Sequence, residues 1–144
     1  MISTRSKRGI SAAVFGLGSL AGLCGCFGAS RGIFTIGEND CLPEILAITF
    51  AAVTPLPACV IALWKRLLPG MWLIFAGCFF PYGMLSERAY MIAVRHFYDQ
   101  PTVAQTVGFS LPFTLVLAAF GAFAIVTHVL KWPEVLGSSL IDDE

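Results

Sequence analysis

The chain alternates long apolar stretches with short charged ones. No Asp, Glu, Lys or Arg occurs within 9–30, 45–64, 67–86 or 100–130, and every charge falls between or beyond those stretches. A helix rises about 1.5 Å per residue and the hydrocarbon core of a bilayer is about 30 Å thick, so about 20 apolar residues can cross it. Each stretch meets that length. The pattern predicts an all-α integral membrane four-helix bundle, one domain over 1–144, with spans near 9–30, 45–64, 67–86 and 104–130. Pro101 favours a break, with the last span starting just after it.

Composition agrees with this class. The chain is 57% hydrophobic and 12% charged, where a soluble domain carries about 25% charged residues. Its formal net charge is zero and it has no basic patch, so nucleic acid is not an expected partner. Membrane lipid and other membrane-protein subunits are.

Charge asymmetry sets an expected orientation. Arg5, Lys7, Arg8, Lys65, Arg66 and Lys131 fall on one side if all four segments cross. Arg31, Arg88 and Arg95 fall on the other, among Glu38, Asp40, Glu44, Glu87 and Asp99. Cytoplasmic loops are enriched in Lys and Arg, so both termini are expected in the cytoplasm, and the chain in a bacterial inner (plasma) membrane. Trp64, Trp72 and Trp132 lie near the same boundary, and indole rings favour the membrane interface.

The N-terminus also reads as an export signal. Arg5, Lys7 and Arg8 precede an apolar run of signal-peptide length. That run ends at Leu23-Cys24-Gly25-Cys26, which resembles a bacterial lipobox. Because the apolar run continues to Ser30, a retained first span is the expectation.

Small residues crowd that first span. Gly18 and Gly22 form a GxxxG pair, and Ala21/Gly25 and Gly25/Ala29 repeat the spacing. Such a groove admits another backbone at close range. Gly18, Gly22 and Gly25 are therefore candidate packing or interaction residues, with packing against the other spans ahead of an outside partner. Leucine at position 22 is expected to be damaging and alanine milder.

Every later span contains proline. Thr54-Pro55-Leu56-Pro57 sits near the centre of span two, Pro81 late in span three and Pro112 in span four. Each proline removes a donor and leaves a carbonyl in need of a partner. Thr54, Pro55 and Pro57 mark a candidate helix break, and the hydroxyls of Thr54 or Thr114 are candidate donors to freed carbonyls.

Candidate chemistry is sparse. Of the five cysteines, Cys24, Cys26 and Cys41 are candidates for a disulfide if their side of the membrane is oxidising. Residues i and i+2 of a helix point about 200° apart, so Cys24 and Cys26 do not share a face. No metal site is expected from them. No ionisable group lies deep in a span, which argues against proton relays and ion pathways. No catalytic motif occurs, and the chain is not expected to be an enzyme. No cofactor is expected either, and a tetrapyrrole on the single His128 is the weakest alternative. His96 is expected at the opposite face.

Segment 87–99 reads as a short outer interfacial helix or a continuation of span three. Arg88, Arg95 and Asp99 lie on one face, and Tyr90, Ala93, Val94 and Phe97 on the other. Arg88 and Arg95 are candidate interaction residues. These features favour an accessory, assembly or structural subunit of a larger membrane complex. The alternatives are a small-solute or soft-metal transporter built on the Thr54–Pro57 break and the cysteines, and a thiol-redox membrane protein.

Overall fold

A computed structural model describes residues 3–34, 42–94, 96 and 101–136. These residues form five helices and no strand: α1 (Thr4–Phe34), α2 (Leu42–Val53), α3 (Pro55–Ile61), α4 (Leu67–Ala93) and α5 (Val103–Val129). Four segments are long and apolar enough to cross a membrane: Thr4–Phe27, Leu42–Ile61, Leu67–Ala93 and Val103–Val129. The second is α2 and α3 together. The expected all-helical four-span architecture is therefore present.

The helix ends differ from the charge-defined ones for physical reasons. Charges at Glu87 and Arg88 do not stop α4, because a helix continues wherever its backbone bonds are satisfied. Its 27 residues extend about 40 Å, longer than a hydrocarbon core of about 30 Å. The segment 87–93 thus continues span three, whereas Arg95 and 97–100 lie outside the described residues. At the start of α5, Thr102 forms a reciprocal capping box with Gln105. The Gln105 N–H donates to Thr102 Oγ1 at 3.3 Å, and the Thr102 N–H donates to Gln105 Oε1 at 2.8 Å.

The helices pack as antiparallel neighbours in the order α1, α2–α3, α4, α5, and α1 meets α5 only lightly. Small residues line each seam. Between α4 and α5, a Cβ on Gly70 would lie 2.9 Å from the Gly121 carbonyl oxygen, and one on Gly121 would lie 2.6 Å from that of Gly70. Further along, Gly77 faces Thr114 and Leu117. Between α2 and α4, Gly83 meets Ala47, and Phe50 packs edge-on against Phe75 and Phe79. Lipid tails are as apolar as leucine, so close backbone approach and dispersion, rather than escape from water, hold such seams.

Proline shapes two of these seams. Pro81 has no N–H, so the Gly77 carbonyl loses its partner within α4. The Thr114 hydroxyl of α5 donates to that oxygen at 3.0 Å, as expected for a freed carbonyl in hydrocarbon. At Thr54 the span is divided into α2 and α3, yet its backbone stays in the right-handed helical region. The Thr54 N–H donates to Phe50 O at 3.0 Å, and its carbonyl accepts from the Ala58 N–H at 3.1 Å. These two bonds carry the helical pattern across the junction.

Candidate functional site

Gly18, Gly22 and Gly25 of the first span face this chain's own second span. A side chain on Gly18 would strike Cys59, one on Gly22 the backbone of Leu56, and one on Gly25 the carbonyl of Ala52. The buried face of α1 runs Ser11, Phe15, Gly18 and Gly22, a heptad-like spacing that keeps one stripe against a neighbouring helix. Ala52 and Leu56 bracket Thr54 and Pro55, so the groove and the candidate break meet in one seam. At Gly22 even a methyl group falls on backbone atoms, so alanine as well as leucine meets the Leu56 backbone there. By contrast, Gly9 and Gly16 have nothing within 4 Å of a built Cβ.

Six cations lie toward one end of the bundle. Lys7 Nζ sits 5.8 Å from the centre of the Trp132 ring, which joins the start of α1 to the end of α5. The Val135 N–H donates to Leu63 O at 3.2 Å, which joins the segment after α5 to the end of span two. Arg66 completes the junction. Its Nη1 donates to the Trp132 carbonyl at 3.3 Å and its Nη2 to the Pro133 carbonyl at 2.6 Å. Only 3% of the residue is exposed. Burial pulls the guanidinium pKa below its ordinary value, and the nearby Glu134 carboxylate acts in the opposite direction. The group stays cationic, as arginine does in proteins.

This role of Arg66 was not visible in the sequence, where it is one loop cation beside another. Its acceptors lie more than 60 residues away along the chain. A proline following a conspicuous tryptophan, Trp132-Pro133, was the nearest available signal, because a carbonyl before proline often stands outside regular structure.

The other candidates are dispersed. At the far end, Arg88 Nε donates to the Pro101 carbonyl at 2.6 Å, tying the end of span three to the start of span four. His96 follows α4 at that end, whereas His128 lines the basic end. The two histidines are thus separated by the length of the bundle. Cys24, Cys26, Cys59 and Cys78 are free thiols, and Cys59 is buried beneath Gly18. Cys41 lies outside the described residues. Among the described residues, no three His, Cys, Asp or Glu side chains converge on a metal-sized position. No protein family, characterised protein or solved structure matches the chain.

Proposed function

We propose that this chain is an accessory or assembly subunit of a larger membrane complex, inserted with both termini in the cytoplasm of a bacterial inner membrane. The observation that carries the reading is the division of the α1 glycines into two sets. Gly18, Gly22 and Gly25 are filled by span two, while Gly9 and Gly16 have open space around them. In membranes, unfilled small residues are where another helix can approach closely. The light contact between α1 and α5 adds to this support. Phe15 and Phe123 meet there edge to face at 5.6 Å. Beside them runs an open apolar groove of about 370 Å³, lined by Val14, Val116, Ala119, Phe120 and Phe123.

The test is gentle-detergent purification followed by mass spectrometry and native electrophoresis. The protein is expected to migrate above its 15.5 kDa chain mass and its bound detergent, together with co-purifying membrane subunits. Gly16→Leu should release them without changing thermal unfolding, since nothing in the chain's own fold occupies that space. A monomeric protein that carries solute across liposomes would overturn the proposal in favour of the transporter reading. Reporter fusions after Lys65 and after Glu144 should both report cytoplasm, and an external signal from either overturns the orientation.

A further inference from the structure

We propose that the basic end of the bundle holds a binding site for the phosphate of an anionic phospholipid headgroup. A cavity of about 540 Å³ opens there between the link joining spans two and three and the segment after α5. That volume lies within the range of ligand pockets, about 300–1,000 Å³. Lys65, Arg66, His128 and Lys131 line it, with Glu134 as the one carboxylate in the wall. Leu67 and Leu68, the first residues of α4, also line it, and no side chain caps that helix end. Helix N-terminal N–H groups carry partial positive charge and suit an anion.

Arg66 and Lys131 define the cationic wall of this cavity. Arg66 is buried in the cavity wall, and its Nε has no hydrogen-bond partner among the described residues. Its two Nη atoms each hold a carbonyl, of Trp132 and of Pro133, so Nε is the one guanidinium nitrogen without a partner among the described residues, and it is itself closed to solvent. Lys131 adopts a left-handed backbone, φ 49°. It occupies the position after the helix cap, where the Trp132 N–H donates to Thr127 O at 2.9 Å and the Lys131 N–H to His128 O at 3.0 Å. Glycine normally fills this place in the Schellman motif, because a Cβ is disfavoured there. Lys131 thus brings its charge to the cavity wall from a backbone conformation that glycine would favour.

The surroundings favour a lipid over a free ion. Trp64 and Trp132 are in the wall, and amphipathic indoles sit at headgroup depth. Leu68, Val129 and Leu130 are 74%, 68% and 59% exposed around this end, which suits acyl chains beside a headgroup. Basic pockets between membrane helices on the cytoplasmic side bind phosphorylated headgroups by this combination of charge and apolar rim.

The experiment uses the full chain in nanodiscs and in uncharged detergent, probed with phosphatidylglycerol, phosphatidylcholine and inorganic phosphate. Retained lipid is read by native mass spectrometry, with thermal unfolding as the folding control. Phosphatidylglycerol should be retained in preference to phosphatidylcholine. Lys65→Gln with Lys131→Gln should weaken that retention about 10- to 30-fold, from about one decade of affinity or less per cation. Arg5→Gln with Lys7→Gln, neither of which lines the cavity although Lys7 lies over Trp132 in its wall, should weaken it less. Glu134→Gln should strengthen it. Lys131→Gly should raise the unfolding temperature while lowering retention, an opposition that a purely structural lysine does not produce. Equal losses from the two double variants would reduce the effect to diffuse surface attraction and overturn the site. Equal retention of phosphatidylcholine would overturn it too. Phosphate that displaces the lipid and binds as tightly would make this a small-anion site and overturn the lipid assignment.

Discussion

Two glycine-lined seams run through this bundle, and they differ in what stands opposite each glycine. Across the α1 seam, Gly22 and Gly25 face the backbone of Leu56 and Ala52. Across the α4–α5 seam, Gly70 and Gly121 face each other's carbonyls but also the side chains of Ile125 and Ile74. The second seam carries a hydrogen bond as well, from Thr114 to the Gly77 carbonyl. Side-chain ends can swing aside by rotation, whereas backbone in a helix moves only with the whole element. The α1 seam is therefore the less forgiving, although the α4–α5 interface is the more extensive.

The largest expected effect is at Gly22. Gly22→Ala places a methyl group on the Leu56 backbone and should destabilise by about 3 kcal/mol, the upper part of the usual overpacking range. Gly22→Leu should cost more. Unfolding in detergent would measure both. If alanine at position 22 is silent, the α1 helix can slide off span two and the seam is looser than described.

A smaller effect separates the hydrogen bond from the packing. Thr114→Val removes the donor to Gly77 and should cost about 0.6 kcal/mol, reaching at most about 1.7. In a Pro81→Ala background the restored N–H at position 81 can serve the same carbonyl. Thr114→Val should then cost less, and the double-mutant cycle isolates the coupling. An unchanged cost in that background would mean that Thr114 acts through its shape, not through the carbonyl that Pro81 frees.

The smallest effect is the control for both seams. Gly16→Ala meets no neighbour within 4 Å and should change stability by about 0.5 kcal/mol or less, the range of surface substitutions. A loss as large as that at Gly22 would show that glycine flexibility, rather than close approach, matters along α1.

Local chemistry determined the spans in the sequence. Apolar runs of bilayer length state their own environment, and the double-sided spacing of small residues in span one marks a close-packing face without reference to any neighbour. The start of α5 was legible from Pro101, which favours a break just before it, while the Thr102–Gln105 capping box that fixes it came with the structure. What tertiary structure alone decided is which partner meets which face. The span-one groove receives span two at Ala52 and Leu56, Thr114 answers the carbonyl that Pro81 frees on another helix, and Arg66 reaches the carbonyls of Trp132 and Pro133. Each of these joins residues more than 25 positions apart. Helix formation depends on bonds four residues long and can be read from neighbours. The pairing of freed carbonyls and buried donors depends on which distant segment the bundle brings alongside, and hydropathy carries no record of that.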